Sequence, residues 1–153
     1  MPLLKYDIKT IGDNNGKVDM EHFIITTCND EIAEPYDLFI DIKNIGLNNV
    51  KRIIVDLESS IVDNADRILG DNNVISIEKN GTKKLYRYLG LERGKEYQMK
   101  LKVYYEDVLQ NWYSQIVDIN YYATKFNNGS EPIGRVDYKV KEEKIINREE
   151  ISM

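Results

Sequence analysis

The constraint that bears hardest on this chain is a side-chain period of two, clearest in "EYQMKLKVYY". There Met99, Leu101, Val103 and Tyr105 fall on one face of an extended segment, and Gln98, Lys100, Lys102 and Tyr104 fall on the other. Such a segment is stable only as a strand with one side against a core. The same alternation sets Leu38, Ile40 and Ile42 against Phe39, Asp41 and Lys43, and groups Tyr113, Val117, Ile119 and Tyr121. Each stretch is rich in the β-branched and aromatic residues that suit a pleated, half-buried surface.

Further strands are expected over Leu4 to Lys9, His22 to Thr27, Lys51 to Leu57, Val74 to Lys79 and Lys84 to Leu89, giving about eight in all. Turn chemistry separates them, at Gly12 to Gly16, Asn44 to Asn49, Gly70 to Asn73, Asn80-Gly81, Arg93-Gly94 and Gln110-Asn111. Asn80-Gly81 reads as a type I′ hairpin, with positive φ at both central residues. Mainly antiparallel strands at this spacing, without an intervening helical pattern, predict an all-β, immunoglobulin-like β-sandwich over residues 1 to 125. Residues 126 to 153 read as a linker and a charged tail, for which an edge strand, a short helix or a mobile end all remain open.

At 153 residues the chain has room for one domain with a substantial core, and its 42% hydrophobic and 31% charged composition is that of a globular protein. With a net charge of −5 and only a short basic cluster at Lys83, Lys84 and Arg87, a nucleic-acid surface is disfavoured. Cys28 is the sole cysteine, so no intramolecular disulfide can form, and this favours a reducing compartment. The first ten residues lack a signal-peptide pattern, and no apolar run reaches the roughly 18 residues of a membrane span. The expected location is cytoplasmic, with the soluble domain of a membrane protein as the alternative.

Candidate chemistries fare poorly. The loop around Asp13, Asn15, Gly16 and Asp19 imitates a calcium loop, but with Gly16 at the glycine position the first and last ligand positions fall on Ile11 and His22. His22 and Cys28 differ by six residues in one extended stretch, about 20 Å, too far to form a nucleophilic pair. No glycine-rich phosphate loop, nucleophile elbow or metal-ligand spacing is present, so no cofactor, metal or catalytic residue is expected. Asn80-Gly81-Thr82 and Asn128-Gly129-Ser130 are glycosylation sequons whose Asn-Gly pairs read more naturally as turns.

The hairpin over residues 104 to 113 is the expected contact surface, with Tyr104, Glu106, Asp107, Asn111, Trp112 and Tyr122 as its binding residues. Tyr104, Trp112 and Tyr122 share the face opposite the core, where an exposed aromatic patch could stack on sugars. The partner expected is a protein, or a second copy joined through an edge strand. A carbohydrate or small ligand is the alternative.

Residues 36 to 122 also carry a recognisable pattern. A strand ends in Asn44-Ile45-Gly46, an isoleucine- and valine-rich strand follows over Ile53 to Leu57, a turn holds Leu91 and Gly94, and a long hairpin carries Tyr105, Asp107, Asn111 and Tyr113. This resembles the CARDB-like and other immunoglobulin-like modules of bacteria, and the extramembrane β-domains of uncharacterised bacterial membrane proteins. The resemblance implies a non-catalytic spacer, adhesion or sensing module. Independently, Asn44 and Gly46 read as a polar, φ-permissive break where the chain leaves one sheet for the other.

Overall fold

The computed structural model describes residues 3–10, 25–27, 33–59, 66–69, 76–128 and 131–151. The calcium-like loop near Asp13, together with His22 and Cys28, lies outside them. Nine strands occur among the described residues: β1 (Leu4–Lys9), β2 (Ile25–Thr27), β3 (Ala33–Asn44), β4 (Arg52–Ser59), β5 (Asp66–Leu69), β6 (Thr82–Glu92), β7 (Glu96–Glu106), β8 (Trp112–Asn128) and β9 (Glu131–Ile146). They form two sheets, ordered β1-β3-β6-β2 and β5-β4-β7-β8-β9.

The fold is an all-β sandwich. With β1-β3-β6 facing β4-β7-β8, its strand order is that of the A-B-E and C-F-G sheets of an immunoglobulin domain. Strand β5 takes the place beside the C strand, and β9 is added beyond the G strand. All pairings are antiparallel except that of β2 with β6.

The alternation read from the sequence sorts the core. Leu38, Ile40 and Ile42 of β3 face Val55 and Leu57 of β4, Met99, Leu101, Val103 and Tyr105 of β7, and Val117, Ile119 and Tyr121 of β8 in one buried cluster. Inner-face tyrosines satisfy their hydroxyls across the sandwich. Tyr6 donates to Gln115 Oε1 at 2.6 Å and Tyr121 to the carbonyl of Asp37 at 2.6 Å. A buried phenol needs such an acceptor, and these two tie opposite sheets together.

Three local expectations change. Residues 76 to 79 make no strand with β6; Ile77 instead forms an isolated antiparallel bridge with Val50. The Asn80-Gly81 turn has positive φ at Asn80 alone (66°), so it is not a type I′ hairpin. Gly46 likewise does not need its φ freedom, because the positive-φ glycine among the described residues is Gly94 (84°), in the β6–β7 turn. The corner is made by the Asn44 side chain, whose Oδ1 accepts the Gly46 N–H at 3.0 Å while Nδ2 donates to the carbonyls of Asn48 and Ile77 at 2.8 and 3.1 Å. Four-residue β5 was not expected, and of the alternatives open for the tail the edge strand is the one found: β9 runs antiparallel along most of β8. The stretch read as a linker from residue 126 begins inside β8.

Strand β9 packs tightly over the core at Gly134. A Cβ there would collide with the Tyr121 hydroxyl and lie 2.7 Å from ring atom Cε1. Tyr121 is fully buried and held by Asp37, so it has little room to retreat. Gly134→Ala is therefore expected to cost about 1–3 kcal/mol in chemical denaturation. In the Tyr121→Leu background, which removes the ring that stands in the way, the same substitution should cost measurably less.

Candidate functional site

One end of the sandwich collects the loops that a binding role requires. The β3–β4 corner, the Asn80-Gly81 turn and the β7–β8 loop meet there, joined by backbone hydrogen bonds from Asn44 to Gly81, Asn80 to Asn44 and Lys51 to Glu106. The end row of the five-stranded sheet is Arg52, Glu106, Trp112 and Ile146, paired in register.

Asp107 builds the β7–β8 loop. Its Oδ1 accepts the backbone N–H groups of Leu109 and Asn111, each at 2.9 Å. Its Oδ2 accepts the Tyr113 hydroxyl at 2.9 Å and Asn111 Nδ2 at 3.3 Å. Burial alone would raise its pKa, but the hydrogen bonds from Asn111, Tyr113 and Leu109 outweigh that and hold it below the ordinary carboxylate value. Burial and the hydrogen bond to Asp107 in turn hold the Tyr113 hydroxyl above its usual range, as a neutral donor. Tyr113 stacks on Tyr105, with ring centroids 5.3 Å apart, and Tyr105 donates to Glu143 at 2.6 Å. The loop closes with Gln110 at φ 67°, a left-handed residue that the flanking hydrogen bonds enforce.

Behind the loop lies a second, smaller hydrophobic cluster, on the outer face of the five-stranded sheet. Ile54, Trp112, Ile146 and Ile151 are buried together, with Tyr104 packed against them. A short 3-10 turn, Arg148–Glu150, brings Ile151 back onto the sheet, and Glu150 Oε2 accepts the Asn147 N–H at 2.9 Å. The Arg148 guanidinium sits 5.2 Å above the Trp112 ring. Between this turn and the β7–β8 loop is a concavity of about 460 Å³, lined by Arg52, Glu106, Gln110, Asn111, Trp112 and Arg148 among others.

The expected contact residues therefore divide. Glu106, Asn111 and Trp112 line one concavity, and Asp107 supports it from within. Tyr104 lies behind it in the small cluster. Tyr122 stands apart: ten residues beyond Trp112 on β8, it is about 33 Å away. No continuous aromatic patch results, since Trp112 is only 6% exposed beneath the C-terminal turn. Sequence alternation put Trp112 on the correct face, but gave no sign that Ile151 returns to cover it.

Three carboxylates lie beside cations or hydrogen-bond donors, although the buried Glu106 Oε1 accepts no hydrogen bond. Glu106 is buried and faces Arg52 Nε at 3.6 Å and Lys51 Nζ at 4.0 Å. Asp107 has both oxygens occupied, and Asp118 on the outer face lies 3.9 Å from Lys141. Among the described residues no group of three or more His, Cys, Asp or Glu is placed to hold a metal ion. A wider groove of about 660 Å³ lies toward the opposite end, lined mainly by charged and amide side chains such as Lys100, Asp118, Asn120 and Lys139.

What sequence reading missed is aliphatic. Nine large hydrophobic residues are exposed among the described residues, and six of them occupy this one end: Leu3, Ile45, Leu47, Val108, Leu109 and Ile145. Leu47 and Leu109 are 82% and 77% exposed at the tips of the two main loops. The signal was present in "NIGLNN" and "DVLQN", where an aliphatic residue sits inside turn chemistry that ordinarily excludes it.

Two measurements check this architecture. Asp107→Ala should lower stability by about 1–3 kcal/mol in urea at neutral pH, since it leaves loop N–H groups without acceptors. The folded-state pKa is depressed, so the stability from Asp107 is complete above its unfolded value of about 4 and is lost as pH falls through the folded value; Asp107→Asn should flatten that acid limb. Trp112 is the sole tryptophan, so Ile151→Asp should shift the emission of the folded protein to the red by opening the small cluster.

No protein-family model matches the chain, and no curated protein is detectably similar to it.

Proposed function

We propose that this protein is a non-catalytic interaction module, a rigid sandwich that presents the β3–β4 and β7–β8 loop end to a partner. The observation that carries the proposal is the concentration of six exposed aliphatic side chains at that end, against three exposed large hydrophobics elsewhere among the described residues. Exposed apolar surface gathered in one place marks a contact site. Its supports are rigid: Asp107 fixes one loop through four hydrogen bonds and Asn44 fixes the other through three. Preorganisation of this kind reduces the entropy lost on binding.

The resemblance of residues 36 to 122 to bacterial immunoglobulin-like modules supports an accessory role of the same sort. The engagement of Glu106, Asp107 and Asp118 in structural pairs also favours binding over chemistry. A sugar platform would need a contiguous exposed aromatic surface, and the placement of Trp112 and Tyr122 does not favour it. Among the described residues no helix is long and apolar enough to cross a membrane.

The test is site-specific photocrosslinking in the native cell. A benzophenone side chain at Leu109 should give a discrete adduct, to a protein or a lipid, while the same probe at Lys100 on the opposite half of the sheet should not. Equal labelling at both sites, or none at Leu109, would remove the loop end as the contact surface.

A further inference from the structure

The nature of the contact surface follows from its charge and its residue types, and the inference rests on the interaction reading above. The exposed basic residues at the loop end are Lys5, Lys43, Lys51, Arg52 and Lys79, and the exposed acids are Glu78, Glu149 and Glu150. These exposed bases outnumber the exposed acids by two; with the half-buried Arg148 and the buried Glu106 and Asp107 included, the named groups are six bases against five acids, in a chain whose overall charge is −5. Lys5 lies directly opposite Lys43 in the β1–β3 register, a like-charge pair that costs stability unless an anion lies over it. Glu106 and Asp107, the other acids of this end, are buried; Glu106 lies beside both Arg52 and Lys51, and Asp107 accepts the loop N–H groups.

Protein interfaces are enriched in Tyr, Trp and Arg and depleted in Lys, and their energetic centres seldom rest on Leu. This end shows the reverse composition: Leu, Ile and Val at the tips with a lysine collar. The chain has eleven tyrosines, yet the exposed ones, Tyr122 and Tyr138, lie away from this end. Leu47 and Leu109 do not line the concavity beside them. They stand out from separate turns, a geometry that suits a soft, flat apolar layer better than a shaped protein pocket.

We infer that the loop end docks on a lipid bilayer bearing anionic headgroups, with Leu47 and Leu109 entering the interfacial layer and Lys5, Lys43 and Lys51 meeting the headgroups. Burial of a few aliphatic side chains and attraction of a few cations are individually weak, and together they give reversible binding that weakens with salt.

The experiment is co-sedimentation of the intact protein with vesicles of phosphatidylcholine containing about 30% phosphatidylserine, an anionic content at which each basic residue near the surface contributes measurably. The protein should partition onto these vesicles at low ionic strength and be released as salt rises. Leu47→Ser with Leu109→Ser should reduce partitioning at least about tenfold. Lys5→Gln with Lys43→Gln should reduce it about fivefold or more on anionic vesicles and leave the weaker binding to pure phosphatidylcholine unchanged. All four positions are exposed, and an unchanged near-ultraviolet circular dichroism spectrum shows that the fold is kept. Absence of binding to anionic vesicles, or equal binding by the double-serine variant, overturns the inference. If Leu109 then still crosslinks to a discrete protein, lipid docking falls and the interaction module stands; if neither contact forms, both fall.

Discussion

The carboxamide of Asn44 is the interaction on which the rest of the architecture turns. A sandwich requires the chain to leave one sheet and enter the other without stranding buried backbone polar groups, and Asn44 is fully buried at that crossing. Its side chain serves the carbonyls of Asn48 and Ile77 and the amide of Gly46, while its own backbone pairs with Asn80 and Gly81. Three separate segments are thereby fixed at one end. Once that corner is set, β3 and β4 can belong to different sheets, and the loops that project from the corner keep a constant relative placement.

The parts of the fold that were legible in the sequence are those in which one face is wet and the other dry. In β7, Met99, Leu101, Val103 and Tyr105 alternate with Gln98, Lys100 and Lys102, so period, face and length all follow from residue type. Strand β9 stayed one of three alternatives because charge interrupts its pattern: Arg135, Asp137, Lys139 and Lys144 line its outer face by register, and Glu143 breaks the inner row of Val136, Tyr138 and Val140, so its sequence has the look of a solvated tail. Such lysines are what an edge strand needs to discourage pairing with another chain, and they also conceal it. The glycine at position 46 suggested a backbone explanation for the corner, but the asparagine two residues earlier performs the turn with its side chain.

The candidate site was legible in position but not in character. The β7–β8 hairpin was identified, and Glu106, Asn111 and Trp112 do line a common concavity. Aromatic residues attracted attention because they commonly dominate recognition. In this chain Trp112 is an inner residue of a small satellite core, and the exposed character of the end comes from aliphatic residues. The turn stretches around Leu47 and Leu109 carried a local hint of it, but whether those side chains are covered depends on what packs above the loop tips.

The order of strands has a consequence for how the molecule is made. Strands β6, β7, β8 and β9 follow one another through the sequence, and β7, β8 and β9 pair as consecutive hairpins, so that ribbon requires only short loop closures. The β3–β6 ladder joins Leu38 with Arg87, and the β4–β7 ladder joins Val55 with Val103, across much longer stretches of chain. Non-local pairing of this kind slows folding. During synthesis β3 can pair with β1 and β4 with β5 as they emerge, but each keeps its other edge open until β6 and β7 follow, so the second half of the chain is what completes both sheets.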